Sequence, residues 1–119
     1  MIAGIGVDMI EIERVTHACE REHFLRRIFT EREIQQMDTK RRRAASDFAG
    51  KEAVVKALGT GFSGIEAAEV EILRKEDGSP YVVLHGKAAM KAEELGIQDW
   101  KISITNTKEL VTAFVVASA

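Results

Sequence analysis

The sequence predicts an α+β domain in which an antiparallel sheet packs with helices. Three observations favour this class: an apolar, β-branched N-terminal segment, a long central segment with helical periodicity, and two hairpin signals in the second half. Together they give the order β-α-α-α-β-β-α-β-β, which is typical of an antiparallel sheet with segregated helices. The 119 residues, 45% of them hydrophobic, are expected to form a single domain over residues 1–119.

The N-terminal part of the chain is predicted to contain one strand and two helices. Residues 2–12 are rich in β-branched apolar side chains and favour a strand. Residues 13–27 are expected to form one helix. Thr30 and Glu33 make a capping-box pattern, so a short helix is expected to start there.

Residues 41–58 carry the clearest helical pattern. Apolar side chains recur there at spacings of three and four residues: Ala45, Phe48, Ala49, Ala53 and Ala57. Gly59 follows and is expected to end the helix, because glycine readily adopts the left-handed conformation of a helix C-cap.

The second half is predicted to contain two hairpins. Its four strands are residues 70–73, 81–84, 100–104 and 110–116. Asp77-Gly78 separates the first pair and is a strong turn signal, and residues 107–109 separate the second pair. Between the hairpins, residues 86–95 favour a helix that Gly96 ends.

Charge and cysteine content exclude several classes of function. Lys and Arg number 17 and Asp and Glu 19, so the formal net charge of −2 argues against nucleic-acid binding through bulk positive charge. The single cysteine, Cys19, excludes an internal disulfide framework and a cysteine-rich zinc site. No apolar run approaches the roughly 20 residues that span a bilayer. We therefore expect a cytoplasmic protein with no nucleic-acid or membrane partner.

Asp8 is an acidic residue within an apolar strand, between Val7 and Met9. A buried carboxylate without a partner is costly, so Asp8 needs a cation, hydrogen bonds, or a position at the end of the strand in contact with water. The residue alone leaves these alternatives open.

Glu52 and Lys56 are one helical turn apart, and helical spacing puts Glu52 on the apolar stripe, beside Phe48 and Val55. They form either an ordinary surface pair, worth about 0.2–0.5 kcal/mol, or part of a cleft. In a cleft, Asp8 and Glu52 are suited to hold a hard cation, with Mg²⁺ favoured because it takes one or two carboxylates and completes its shell with water and phosphate oxygens.

Residues 59–64 match the pattern G-x-G-x-x-G, but they follow a helix, whereas a dinucleotide-binding loop follows a strand and opens a helix. The segment is either a helix cap with a loop or a backbone able to approach a phosphate closely. Ser103, Thr105 and Thr107 share one face of a strand and are either structural or able to bind phosphate or sugar.

Several segments in this order resemble the holo-[acyl-carrier-protein] synthases, the small single-domain bacterial phosphopantetheinyl transferases. The resemblance runs from about residue 2 to residue 117. Its most specific elements are G-x-D at Gly6 to Asp8 and F-x-x-K-E-x-x-x-K-A-x-G-T-G at Phe48 to Gly61. It implies the 4′-phosphopantetheinyl transferase fold.

The resemblance also implies an activity: transfer of the 4′-phosphopantetheine group of coenzyme A to a serine hydroxyl of apo-acyl carrier protein, releasing adenosine 3′,5′-bisphosphate and supporting fatty-acid synthesis. Asp8 and Glu52 are then expected to bind Mg²⁺, for which Mn²⁺ is a suitable substitute. Glu52 and Lys56 are the expected catalytic residues, and the base that removes the serine proton is Glu52, Lys56 or a metal-bound water.

Further residues are assigned by the same resemblance. The residues expected to bind coenzyme A are Arg43, Phe48, Lys56, Gly59, Thr60, Gly61, Asn106 and Thr107. Arg14 and Arg21 are expected to dock the acidic carrier protein. The family implies a homotrimer with active sites at the subunit interfaces.

Two positions depart from the family pattern. Many relatives have histidine where this chain has Asn106, and asparagine cannot carry a charge. Many also have arginine at the position of Asp47, and we expect Arg42 or Arg43 to supply that positive charge instead. Two other interpretations are a non-catalytic module that binds coenzyme A or a carrier protein, and a small oligomeric domain whose acids are structural.

Overall fold

Two antiparallel sheets pack against helices in the computed structural model, which describes residues 1–37, 39 and 41–119. The strands are β1 (Ile2–Glu11), β2 (Val70–Arg74), β3 (Pro80–Leu84), β4 (Asp99–Asn106) and β5 (Leu110–Ser118). The helices are α1 (Ile12–Ala18), α2 (Glu22–Ile28), α3 (Glu31–Met37), α4 (Arg42–Leu58) and α5 (Gly86–Glu94), with a 3₁₀ turn at Ala67–Glu69. The predicted α+β class is confirmed.

Both predicted hairpins are present. β4 and β5 pair antiparallel, and β1 joins the other edge of β5, so the larger sheet has the order β1-β5-β4. β2 and β3 form a separate two-stranded sheet. In the larger sheet Asp8 is opposite Ala113, which places it in the interior of a paired strand.

Helix α4 packs across β1 and β5, and its alanine stripe lies in the core. Ala45, Ala49 and Ala53 are fully buried. The helix approaches β1 so closely that a Cβ atom added at Gly6 would overlap the carbonyl oxygen of Ala53. Backbone therefore contacts backbone at this crossing, and the sequence provides small residues on both sides of it.

The helix predicted over residues 13–27 was wrong: the chain forms α1 and α2, separated by a turn at residues 19–21. In the turn the amides of Glu20 and Arg21 donate to carbonyls three residues earlier, as in a tightened helix end. The physical reason is the spacing of the buried side chains. Cys19 and Leu25 are both in the core but six residues apart, so one straight helix would place them on different faces.

Other boundaries agree closely with the sequence prediction. Thr30 and Glu33 form the predicted capping box, with reciprocal bonds of 2.9 and 3.2 Å between side-chain oxygens and backbone amides. Gly59 caps α4 in the left-handed conformation, with φ of 80°. The first strand ends at Glu11, one residue early, because Ile12 already belongs to α1.

The outer face of the larger sheet is apolar and exposed. Alternation along β1 points Gly6 and Asp8 towards α4 and points Ile5, Val7 and Met9 outwards, where they are 60%, 51% and 63% exposed. Phe114 of β5, opposite Val7, is 43% exposed on the same face. Within the described ranges, no helix combines the length and apolar character needed to cross a membrane.

Candidate active site

Asp8 and Lys56 form an ion pair where β1 crosses α4. Lys56 Nζ lies 3.1 Å from Asp8 Oδ1 and also donates to the backbone carbonyl of Val7 at 3.1 Å. The carboxylate is largely buried, while the lysine side chain is 52% exposed. Of the alternatives left open by the sequence, a cation is present beside Asp8, and the one in which the strand ends at Asp8 is excluded.

Glu52 lies close to the same pair. Burial raises the pKa of its carboxyl, and the negative charge of Asp8 raises it further, while Lys56 lowers it. Glu52 precedes Lys56 by one turn of α4, and Lys56 contacts Asp8, so the structure brings together the two acids that are remote in sequence. The Lys56 ammonium forms its ion pair with Asp8. The alternative of an ordinary Glu52–Lys56 surface pair is therefore not observed.

The donor set at this point suits a hard cation. Asp8 Oδ2 is buried and has no hydrogen-bond partner, and Glu52 supplies a second carboxylate of raised pKa. An unsatisfied buried carboxylate oxygen is costly without a ligand. Among the described residues no group of three or more His, Cys, Asp and Glu side chains gathers around an ion site. A cation held here would therefore need further oxygens from water or from a substrate phosphate.

The backbone amides of the glycine loop after α4 already donate hydrogen bonds to the last turn of that helix. The amide of Gly59 donates to Lys56 O at 3.0 Å, and those of Thr60 and Gly61 both donate to Val55 O at 3.2 Å. The helix-cap interpretation of this segment is thus confirmed. Phosphate binding by the loop stays a prediction, and it would require these amides to exchange partners.

A cavity of about 650 Å³ lies between the start of α4, the β2–β3 hairpin and the end of β4. The predicted coenzyme residue Asn106 lies in its wall. Four arginines also line it, and we call it the arginine cavity: Arg41, Arg42, Arg43 and Arg74. Arg42 donates to the backbone carbonyls of Thr107 and Lys108 at 3.1 and 3.0 Å, and Arg43 donates to Gln36 O at 3.1 Å. The predicted residues Arg43 and Asn106 therefore share one cavity, and Arg42 connects it to Thr107.

The other predicted coenzyme residues lie elsewhere. Phe48 and Glu52 line a different cavity of about 420 Å³, together with Phe62 and Ile65. Neither Asp8, Glu52 nor Lys56 lines the arginine cavity. The family resemblance implies active sites at subunit interfaces, and within a single chain the predicted coenzyme residues form two separate groups.

Arg14 and Arg21, predicted to dock a partner, are both exposed. Arg14, on α1, lies 3.9 Å from Glu11 and lines a third cavity that also contains Phe48. Phe48 therefore lies between the Glu52 cavity and the surface that carries Arg14. Arg21 precedes α2 in the turn that the sequence prediction missed.

Asp47, which departs from the family pattern, is 1% exposed and pairs with Arg74 at 2.8 Å. Sequence reasoning missed Arg74, because its position beside α4 depends on the docking of the β2–β3 hairpin. A signal was present in α4: Asp47 and Lys51 are four residues apart and so share a face that is otherwise apolar.

A second missed group is a buried charge cluster around Lys51. The Lys51 ammonium is fully buried and donates to Glu33 Oε1 at 2.8 Å and to the backbone carbonyls of Ala67 and Val70 at 3.0 and 2.6 Å. Glu33 Oε2 accepts from the amide of Ile72 at 2.8 Å. The cluster thus ties α3, α4 and β2 together.

Comparison with known proteins identifies the class. The family model described as the 4′-phosphopantetheinyl transferase superfamily matches residues 4–115, which is nearly the whole chain. The chain therefore belongs to this superfamily, as the resemblance of its motifs predicted.

Within that class the chain is similar to holo-[acyl-carrier-protein] synthases. The enzyme of that name from Lachnoclostridium phytofermentans is 54% identical over 116 residues, which cover 98% of this chain and 95% of the relative. The crystal structure of the Neisseria meningitidis synthase has a TM-score of 0.87 at 32% identity, with complete coverage of both chains. The Helicobacter pylori synthase in complex with coenzyme A has a TM-score of 0.84 at 29% identity, covering 96% of this chain and 99% of that one.

Proposed function

We propose that this protein is an enzyme that transfers the 4′-phosphopantetheine group of coenzyme A to a serine of apo-acyl carrier protein. The comparisons support the reaction class, because the named relatives cover nearly the whole chain. The single structural observation that carries the proposal is the meeting of Asp8, Glu52 and Lys56 at the crossing of β1 and α4. We assign the reaction to the cytoplasm, in keeping with the one free, buried thiol.

Asp8 and Glu52 are proposed to hold Mg²⁺, with Mn²⁺ as a substitute. The buried, unpartnered Oδ2 atom of Asp8 supports this assignment. When bound, the ion supplies positive charge that stabilises the phosphoryl oxygens of the coenzyme diphosphate. With only two protein carboxylates, the site leaves coordination positions for those oxygens.

The reaction follows from the charges of the site. The serine oxygen attacks the phosphorus on the pantetheine side of the diphosphate, and the bond from that phosphorus to the bridging oxygen breaks. Adenosine 3′,5′-bisphosphate leaves with the bridging oxygen and its electron pair. Lys56 is half-exposed, so its ammonium can turn from Asp8 towards the phosphates and stabilise the developing charge. The serine proton passes to Glu52, to Lys56 where it reacts as the neutral amine, or to a water molecule at the site.

A homotrimer is proposed because one ligand must contact both groups of residues. The carboxylates and the arginine cavity share no lining residues within one chain. The exposed apolar face around Ile5, Val7, Met9 and Phe114 supports association of copies through the larger sheet. In such an assembly the arginine cavity of one copy would receive the nucleotide end of a coenzyme A whose diphosphate lies at the carboxylates of the next.

The carrier protein is proposed to dock on α1 and the following turn. Arg14 and Arg21 are exposed there, and they suit an acidic partner. The third cavity connects this surface to Phe48 and so to the Glu52 cavity, which gives the acceptor serine a short route to the site.

Intact mass spectrometry of apo-carrier protein tests the proposal. Incubation with the enzyme, coenzyme A and Mg²⁺ is expected to add one phosphopantetheinyl group per carrier and to release adenosine bisphosphate in equal amount. A non-catalytic binding module would bind coenzyme A without releasing the bisphosphate. Absence of the added mass with every divalent metal would refute the proposal. Light scattering tests the trimer in parallel, and a Val7→Glu variant is expected to shift the protein to monomer.

A further inference from the structure

We propose that Arg74, held by Asp47, is a specificity-determining residue that binds the 3′-phosphate of coenzyme A in the arginine cavity. This inference rests on the proposed function, since it assumes that coenzyme A is the ligand. It adds a residue from the β2–β3 hairpin to a site that the sequence assigned to α4 and the end of β4.

The cavity is built for a phosphate other than the diphosphate. Four arginines line it, and its described lining contains neither Asp nor Glu. Pro80 and Ile104 supply apolar wall on which a nucleoside can pack. Coenzyme A carries a diphosphate and one phosphomonoester. Since the diphosphate is assigned to Lys56 and the two carboxylates, the phosphomonoester is the group left for the arginine cavity.

Arg74 differs from its neighbours in how it is held. Arg42 and Arg43 donate to neutral backbone carbonyls, but Arg74 pairs at 2.8 Å with a carboxylate that is 1% exposed. The ion pair holds Arg74 against α4, and Arg74 Nη1 is buried without a hydrogen-bond partner, so its N–H donors are not used by another group. The side chain of Arg74 is itself only 10% exposed, and it lines the cavity.

The backbone of Arg74 is also fixed. Gln36 accepts from the amide of Arg74 at 2.7 Å and donates to its carbonyl at 3.1 Å. Gln36 in turn accepts the bond from Arg43 through its own carbonyl. The arginine wall is therefore connected before any ligand enters, and such preorganisation favours recognition of one phosphate geometry.

Because Arg74 is paired with Asp47, it adds little net charge to the cavity. Its contribution is the fixed direction of its N–H donors. A guanidinium has five N–H donors, and one carboxylate leaves part of this set for a second acceptor. Burial raises the pKa of Asp47 and the charge of Arg74 lowers it part of the way back, which leaves the pKa at about 7. Measurements at pH 8 therefore keep Asp47 ionised and the pair intact.

Binding and kinetics of two variants test the assignment. Arg74→Gln is expected to weaken binding of adenosine 3′,5′-bisphosphate about tenfold, with binding of adenosine 5′-monophosphate unchanged, because only the former carries a 3′-phosphate. In the transfer assay it is expected to raise KM for coenzyme A about tenfold, with kcat and the KM for dephospho-coenzyme A unchanged. Arg74→Lys keeps the charge beside Asp47 and so preserves the fold. It lacks the planar set of guanidinium donors, so it is expected to lose most of the discrimination between the two nucleotides.

Arg32→Gln is the matched control. Arg32 pairs with Glu71 at 2.6 Å, and Glu71 is 2% exposed, so this variant also leaves a buried carboxylate without its arginine. Arg32 does not line the cavity. It is expected to lower Tm without changing the discrimination between the two nucleotides.

Two results would overturn the assignment: equal loss of binding for both nucleotides in the Arg74 variants, or no loss for either. Wild-type enzyme is assayed for carrier modification in the same series. Inactive wild type would contradict the proposed function, whereas active wild type with unchanged discrimination in Arg74→Lys would contradict this inference alone.

Discussion

Lys51 and Glu52 are adjacent in sequence, yet they belong to charge clusters of opposite character. Lys51 points into the core, where its ammonium has three acceptors and is fully buried. Glu52 lies at the crossing of β1 and α4, where burial and then the charge of Asp8 raise the pKa of its carboxyl, and one oxygen of Asp8 has no hydrogen-bond partner. One turn of helix α4 thus serves both the architecture and the chemistry.

The contrast shows how to separate structural charges from functional ones. In the core cluster both oxygens of Glu33 are satisfied, and nothing is left to bind a ligand. At the crossing, the half-exposed Lys56 pairs with one oxygen of Asp8, and the other oxygen of Asp8 has no hydrogen-bond partner. A satisfied cluster stabilises the fold, and an unsatisfied one is completed by a ligand. Substitutions in the two clusters test this division.

The largest effect is expected from Glu52→Gln. Loss of a proposed metal ligand removes several kcal/mol of charge stabilisation in the transition state, so the rate of carrier modification should fall about 10³-fold. Stability should not fall, because the change removes repulsion with Asp8. Mass spectrometry and thermal melting measure the two quantities. A variant that keeps its activity, or that unfolds, would show that Glu52 belongs with the structural cluster.

Lys51→Met should have the opposite effect. Removing one partner of a buried ion pair typically costs about 3–5 kcal/mol, because the other charge is left without compensation. Urea unfolding should show this loss in free energy. Lys56→Met is the control, and it should cost less than Lys51→Met, because Lys56 is half-exposed and Asp8 keeps some contact with water. Equal costs for the two variants would contradict the division.

Glu71→Gln sharpens the comparison through pH. Burial raises the pKa of Glu71, but hydrogen bonds from Arg32, Thr30 and His85 outweigh burial and hold the pKa at about 2, below the ordinary value of 4.5. A depressed carboxyl pKa stabilises the folded state above pH 4.5, and this contribution disappears as pH falls through 2. The variant should therefore be less stable by about 1–3 kcal/mol at pH 7. The difference should vanish near pH 2, as followed by denaturant unfolding. A pH-independent difference would contradict it.

The smallest effect is a shift in Tm on metal binding. Ten dissociation constants of Mg²⁺ should stabilise the wild type by about 1.4 kcal/mol, which corresponds to several degrees. Asp8→Asn should abolish the shift, whereas Glu94→Gln, which removes an exposed acid of α5, should keep it. An equal shift in both variants would indicate non-specific binding.

Local patterns predicted most of the fold. The hairpin at Asp77-Gly78 and the capping box at Thr30 were found because their partners are near in sequence. The turn that divides α1 from α2 was missed, since helical propensity continues through it and only the packing of Cys19 and Leu25 requires the break.

The site was predicted in part for the same reason. Asp8 was identified as an acid within an apolar strand, and Glu52 and Lys56 were identified within a family motif. The structure places the three residues together. The partnership of Asp47 with Arg74 was not foreseen, because it depends on where the β2–β3 hairpin docks against α4. The separation of the arginine cavity from the carboxylates also depends on tertiary structure alone.

The contact between Gly6 and the Ala53 carbonyl has a consequence for the spacing of the two acids. Gly6 and Asp8 point to the same side of their strand, and Ala53 directly follows Glu52, so main-chain atoms fix how far apart the backbone segments that carry the two carboxylates stand. Main chain has no rotamers with which to adapt. A single methyl group at position 6 would push the strand off the helix and spread the acids by a similar amount, although neither acid had been altered.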